Sequence, residues 1–225
     1  MNMQIGQSLA RPASYTAFTP EQRISLAAQR VVDCIICLIA APFAIIVGAI
    51  IALMIRCEGA PVLFSQRRIG FGGREFNCLK FRSMVPGADV RLEELLACDP
   101  AARAQWEKFQ KLEDDPRVTR LGKFLRATSL DELPQLINVW RGDMSIVGPR
   151  PILAEQIALY GGSFTTYCAM RPGITGLWQI SGRANCTFAD RVQLDVRYAR
   201  GWSILGDLRI IVLTVPAVFG RRGAR

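Results

Sequence analysis

The feature that most constrains this chain is the apolar run from Val31 to Ile55, VVDCIICLIAAPFAIIVGAIIALMI, in which Asp33 is the only charge. A helix of that length reaches across the ~30 Å hydrocarbon core of a bilayer. The run starts late, is too long, and lacks a small-residue cleavage site before the next charges, so it does not fit a secretory signal peptide. Two features oppose a simple span. Pro42 lies inside the run, and an interior proline removes a helical hydrogen bond and kinks the chain. Both flanks are basic, with Arg23 and Arg30 before the run and Arg56, Arg67, Arg68, Arg74, Lys80 and Arg82 after it. The positive-inside rule then places both ends in the cytoplasm. A helix broken at Pro42 that enters and leaves one leaflet satisfies both facts. A straight span with a tolerated proline fits the residues equally well.

Composition narrows the chemistry. A chain of 225 residues that is 50% apolar is not disordered and fits one domain or two small ones. It contains no histidine, which excludes Ser–His triads, Cys–His pairs and His-bound zinc. Seven cysteines, an odd count spread along the chain, do not make a disulfide scaffold. Cys34 and Cys37 form a C-x-x-C, but inside the apolar run and with no second pair; they read as small buried hydrophobes in a reducing compartment. The net charge is +9, and 24 of the 28 basic residues are Arg. Arg reads phosphate and carboxylate bidentately; a GC-rich genome gives the same bias. Residues 88–115 hold four basic and eight acidic side chains, so the rest of the chain is more basic still. It should meet something anionic: a membrane surface, a nucleotide or nucleic acid.

Residues 1–29, with Pro12 and Pro20, read as a loose tail. Val62–Phe64 and Glu75–Phe81 read as strands around the basic, Gly-rich turn Arg67–Arg74, a β-hairpin whose glycines make the turn. Residues 88–112 have helical spacing with a break at Pro100, and their acidic face reads as solvated. The apolar stretch Leu208–Phe219, followed by Arg221, Arg222 and Arg225, reads either as a helix on an anionic membrane or as a last core helix.

Chemistry concentrates in Leu125–Pro151, LRATSLDELPQLINVWRGDMSIVGPRP, where Asp131 and Glu132 are adjacent carboxylates. Ser129-x-x-Glu132 matches a capping box, in which Glu132 merely caps a helix. Pro134 favours a helix that starts at Asp131 instead, because the proline then falls in the first turn, where no N–H is needed. Its apolar face would be Leu133, Leu136, Ile137 and Trp140. A helix N-terminus favours an ionised carboxylate and a bound phosphate. Asp131 is either a plain N-cap or a nucleophile toward phosphorus, with Glu132 beside it able to hold a divalent cation. Gly148–Pro151, Arg171–Gly173 and Ser181–Arg183 each set an Arg beside a rigid turn, suited to preorganised phosphate binding.

Lys80–Met84, Ser129–Leu136, Gly142–Pro151, Arg171–Gly176, Gln179–Arg183 and Leu194–Asp207 with Tyr198 and Trp202 together resemble the bacterial sugar transferases. These are monotopic polyprenyl-phosphate phosphoglycosyl transferases, and the chain is most like the short exopolysaccharide-initiating enzymes that transfer galactose phosphate. The resemblance runs from about Arg30 to Gly223. It implies a phosphosugar intermediate on Asp131, with Glu132 working alongside Asp131 at a Mg²⁺ ion. It also implies phosphate or nucleotide binding by Lys80, Arg126, Arg150 and Arg183, and it favours the re-entrant helix. Two departures stand out: Gln29-Arg30-x-x-Asp33 where the family often has Lys-Arg-x-x-Asp, and Ala41-Pro42 where it often has Ser-Pro.

The expected architecture is α+β and mostly helical. It comprises a tail (1–29), a re-entrant membrane helix broken at Pro42 (30–56) and a cytosolic-face catalytic domain (57–225) with a small hairpin and interfacial amphipathic helices. The expected partners are a UDP-hexose, undecaprenyl phosphate and anionic lipids of the bacterial inner membrane, with the active site on the cytoplasmic face and no nucleic acid. The sugar would be galactose, with glucose or an N-acetylated sugar as alternatives. A homodimer is compatible with the sequence, but no zipper-like pattern demands it. The rival reading is a membrane-tethered basic binding protein without turnover, which leaves Asp131-Glu132 and the Arg-bearing turns unexplained.

Overall fold

Helix α1, Pro20–Cys57, carries the whole apolar run. The structure, a computed structural model, describes residues 20–109, 112, 114–181 and 187–219. The expected break at Pro42 is not present: α1 continues through it, since an interior proline can bend a helix without ending it. The helix also starts earlier than expected, so residues 20–29 are its first turns rather than tail. Pro20 suits a first helical position, and the residues that follow are mostly good helix formers; residues 1–19 lie outside the described residues.

Two stretches of α1 are tied to the same body. Before Pro42, Gln29 and Asp33 are buried; after it, Ile51 and Ile55 are buried. Between them Leu38, Ile39, Phe43, Ile45 and Ile46 are 61–75% exposed. The polar ties are specific. Gln29 Nε2 donates to Asp207 Oδ2 at 3.0 Å and to the Val147 carbonyl at 3.3 Å. Asp33 Oδ1 accepts from Ser145 Oγ at 2.9 Å and from Ile146 N–H at 2.8 Å. Arg30 donates to the Val139 and Trp140 carbonyls. On the far side Ile51 and Ile55 pack with Phe81 and Leu125 in one apolar cluster. Cys37 is buried with Cys78 in another, as free thiols.

Strands β1 (Leu63–Ile69) and β2 (Glu75–Phe81) form the expected antiparallel hairpin, with Leu63 opposite Phe81 and Ile69 opposite Glu75. Arg67 and Arg68, expected in the turn, belong to β1. The turn is the shorter Gly70–Arg74, where Gly72 and Gly73 take φ of 68° and 69°, a conformation suited to glycine. Helices α2 (Ala88–Cys98) and α3 (Pro100–Phe109) follow the predicted spacing; Asp99 Oδ1 accepts from the Ala101 and Ala102 N–H groups at the start of α3.

The remaining elements are α4 (Arg120–Ala127), α5 (Gln135–Arg141), β3 (Ser145–Val147), α6 (Ile157–Tyr160), α7 (Phe164–Cys168), β4 (Gly173–Thr175), α8 (Leu177–Ile180), α9 (Phe188–Arg200) and α10 (Ile204–Phe219). β3 and β4 pair in parallel, Ser145 opposite Gly173 and Val147 opposite Thr175. Next to them two segments of the chain meet backbone to backbone. A Cβ on Gly148 would stand 2.2 Å from the Arg171 carbonyl oxygen, and one on Gly173 would stand 2.1 Å from the Gly148 nitrogen. Helix α10 buries Asp207 and Ile210 and leaves Leu205, Val212 and Val215 exposed; Arg221, Arg222 and Arg225 lie outside the described residues.

Candidate active site

Three elements bring the predicted acidic pair to one cleft. The first is β2, which presents Lys80. The second is α4, capped by the Thr119 side chain, which accepts from Gly122 N–H at 2.9 Å. Gly122 is pressed so close to Ser83 that a Cβ would stand 1.9 Å from its carbonyl oxygen. That contact sets Arg126 beside Ser83, whose Oγ accepts from Arg126 Nε at 2.9 Å. The third is the segment between α4 and α5. Here Ser129 takes φ 57°, the only positive φ among the described non-glycine residues, a strained setting for a residue with a Cβ. A tight turn of 3-10 type, Leu130–Glu132, follows.

The helix therefore does not start at Asp131. The tight turn is continued by Leu136 N–H to the Leu133 carbonyl and Ile137 N–H to the Pro134 carbonyl, and α5 begins only after Pro134. Neither the capping box nor the N-cap Asp forms; Ser129 makes no side-chain cap bond. The buried face of α5 is only partly the predicted one: Leu133 and Leu136 pack on the apolar clusters, but Ile137 and Trp140 do not join them. Gln135, Asn138 and Val139 are buried, whereas Ile137 and Trp140 are 43% and 53% exposed. Asn138 goes inside because it completes the edge of β2: its Oδ1 accepts from Leu79 N–H at 3.0 Å and its Nδ2 donates to the Asn77 carbonyl at 2.7 Å.

Asp131 is 7% exposed at the wall of a cleft of about 1040 Å³. Lys80 Nζ lies 2.7 Å from Glu132 Oε1 and 3.9 Å from Asp131 Oδ2. Arg150 Nη1 lies 3.9 Å from Glu132 Oε1. Burial pushes the Asp131 carboxyl up to about 6 against the pull of Lys80, while the neighbouring Glu132 pushes it further up. Burial lowers the pKa of Arg126, and Asp131 opposes that shift. Eight basic and five acidic side chains line the cleft, so it suits an anion.

Of the residues predicted for the site, Asp131, Glu132, Lys80, Arg126 and Arg150 converge on this cleft; Arg183 lies outside the described residues. Arg171 does not line the cleft: its guanidinium stands 5.3 Å from the Phe71 ring and donates to the Gly142 carbonyl at 3.1 Å. Sequence reasoning missed Arg68, Trp178 and Arg191, all of which line the cleft. Arg68 faces it because β1 alternates, with Phe64, Gln66 and Arg68 on one side. Burial, with Arg150 and Arg191 near, brings Arg68 down to about 10, so it keeps its charge at neutral pH.

The family model described as "Bacterial sugar transferase" matches residues 24–221. The chain belongs to that family. As a bacterial sugar transferase it is an enzyme, and its relatives are named accordingly. It is 49% identical over 167 residues to the exopolysaccharide production protein ExoY of Sinorhizobium fredii, covering 74% of each chain. It is 48% identical to the undecaprenyl-phosphate galactose phosphotransferase of Salmonella typhimurium, covering 74% of this chain and 35% of that one. It is 47% identical to the UDP-galactose-lipid carrier transferase of Erwinia amylovora, covering 78% of this chain and 37% of that one. The chain thus spans most of ExoY and little more than a third of the other two.

Proposed function

We propose that this transferase moves hexose-1-phosphate, galactose-1-phosphate in the first instance, from a UDP-hexose to undecaprenyl phosphate through a phosphosugar carried on Asp131. The observation that carries the reading is the buried Asp131 carboxylate beside Lys80 in a cleft with surplus positive charge. The names of the relatives supply the substrates. With a pKa of about 6, Asp131 is mostly ionised at neutral pH yet poorly solvated, which suits a nucleophile. Its oxygen attacks the sugar-bearing phosphorus, the bond to the bridging oxygen breaks, and UMP leaves. An oxygen of the lipid phosphate then attacks the same phosphorus, frees Asp131 and gives the lipid-diphosphate-hexose. Lys80, Arg126 and Arg150 hold the phosphoryl oxygens and balance the charge that develops on them.

Among the described residues no group of three or more His, Cys, Asp or Glu side chains gathers. The pair Asp131 and Glu132 fits Mg²⁺, which commonly binds one or two carboxylates together with substrate phosphates. When bound, Mg²⁺ supplies charge that offsets the transferring phosphoryl group.

The membrane placement rests on α1. Ser25–Cys57 is long and apolar enough to cross a bilayer, yet it is tied to one body on both sides of Pro42. That supports a helix that bends at Pro42 without breaking and dips into and out of the cytoplasmic leaflet, with the exposed apolar side chains of α10 resting on the lipid surface. Holding the cleft at headgroup level raises the effective concentration of a lipid substrate.

The test is UMP release from purified enzyme, UDP-galactose and Mg²⁺ with no lipid present. A burst of about one UMP per active enzyme is expected, with hexose phosphate retained on the protein and lost in Asp131→Asn. Turnover only after undecaprenyl phosphate is added would instead mean direct transfer in a ternary complex.

A further inference from the structure

Arg191 of α9 is a buried cation with unused donors. It is 8% exposed, and its guanidinium stands 4.7 Å from the Phe188 ring and 5.7 Å from the Trp178 ring. Its Nε and one terminal nitrogen, Nη2, have no hydrogen-bond partner among the described residues, and the same is true of the Trp178 indole nitrogen. The nearest carboxylate oxygen, Asp195 Oδ2, lies 3.9 Å from Arg191 Nε and accepts a hydrogen bond from the Tyr160 hydroxyl at 2.6 Å. Buried donors without acceptors are costly and uncommon in native folds, so a cluster of them calls for an explanation. The unsatisfied groups of Arg191 and Trp178 are all N–H, and both residues line the cleft. The complement of such a set is a group that only accepts: an anion with several oxygens.

We propose that Arg191 and the Trp178 indole N–H form a second phosphate subsite, which seats the phosphate of the departing UMP. This assignment rests on the transfer reading above. Arg150 links the two subsites, lying 3.9 Å from Glu132 and 5.3 Å from the Trp178 ring. A diphosphate laid along Arg150 puts its sugar-bearing phosphorus at Asp131 and its nucleotide phosphate toward Arg191. In-line displacement requires the leaving oxygen to lie opposite the attacking one. As the Asp131–phosphorus bond forms, the bond from phosphorus to the bridging oxygen breaks and leaves its electron pair on that oxygen. UMP therefore departs with one more negative charge than its phosphate carried in the donor. The subsite thus strengthens its hold as the reaction proceeds, which is how a binding group lowers a barrier.

The experiment uses the full-length protein in detergent with Mg²⁺. It measures equilibrium binding of UMP, inhibition of turnover by UMP, and KM for UDP-galactose and for undecaprenyl phosphate. Arg191→Lys should weaken UMP about 10–100-fold and raise the donor KM alongside it. Trp178→Phe, which keeps a ring and loses the N–H, should weaken UMP about 3–10-fold. The KM for the lipid phosphate should stay within about twofold, because UMP has left before the lipid reacts. Unchanged UMP affinity in both variants overturns the subsite, as does an equal shift in UMP and lipid constants. If Arg191→Lys fails to fold, Trp178→Phe decides alone. Arg191-dependent UMP binding in a protein that releases no UMP from any UDP-hexose would sink the transfer reading and leave the subsite standing. Turnover with Arg191-independent UMP affinity would do the reverse.

Discussion

Among the described residues, the buried polar cluster at the root of α1 and the Arg191–Trp178 pair on the cleft wall differ in what they leave unsatisfied. At the root of α1, Asp207 accepts from Gln29, Tyr198 and Trp202, and Asp33 accepts from Ser145 and Ile146. The orphaned atoms there are acceptors, Gln29 Oε1 and Asp33 Oδ2. On the Arg191 wall of the cleft the orphans named above are donors on Trp178 and Arg191. A cluster whose carboxylates are already supplied with N–H and O–H groups has its partners within the chain and holds an element in place. A cluster left with surplus N–H groups is prepared for a partner from outside.

The contrast breaks most readily at Asp131. Asp131→Asn should reduce UMP release from UDP-galactose by at least about 10³-fold; turnover near the wild-type rate would remove the cleft from the chemistry. Acid should do the same more gently. The groups that set the Asp131 pKa are Lys80, Glu132, Arg126 and Arg150, with burial holding it near 6. The donor half-reaction should fall about tenfold per pH unit below that value, read as kcat/KM for UMP release. Asp195, also raised to about 6 by burial, sits beside Arg191. The acid limb should persist in Asp195→Asn if Asp131 sets it.

The anchor cluster should respond in stability instead. Asp207→Ala leaves the Tyr198, Trp202 and Gln29 donors without their carboxylate and should cost about 3 kcal/mol, read in thermal unfolding. Asp131→Asn should move the other way. Its pKa is raised above the ordinary 3.8, so its protonated form is the one the fold favours. The stabilising effect is present at low pH and is lost as pH rises through about 6. At neutral pH the ionised group costs stability, and the amide should raise Tm by about 2–4 °C while abolishing activity. The smallest effect expected is at exposed Trp140, where Trp140→Ala should change stability by less than about 0.5 kcal/mol. A large loss there would mean that this face of α5 is covered.

The sequence showed most where a single pattern dominates a segment. The apolar run is helical, the hairpin forms and two helices flank the break before Pro100, although α1 begins earlier and β1 runs further toward the turn than the sequence suggested. The acidic pair and three of its basic neighbours are together because the family motifs carry them. What was not legible depends on contacts between distant segments. Asn138 is buried because β2 offers it a donor and an acceptor from far away in the chain, so an apolar count on α5 finds Leu133 and Leu136 but misplaces Ile137 and Trp140. Asp131 lies in a tight turn because Ser129 takes a left-handed conformation, which no local rule assigns to a serine. Gln29 stands where the family often has lysine, and its neutral amide suits the Tyr198–Asp207 pair it meets. Arg191 carried no sequence signal beyond its type, because its meaning comes from what surrounds it.

The seam between Gly148 and Gly173 governs how this enzyme can change. Arg150 stands two residues from the seam on one strand of backbone, and Arg171 two residues from it on the other. With no room for even a methyl group between them, the two turns vary as one piece or not at all. A side chain at either glycine would therefore disturb Arg150 and Arg171 together, whereas the residues of the helices at 88–109 that line the cleft stand apart from the seam in sequence.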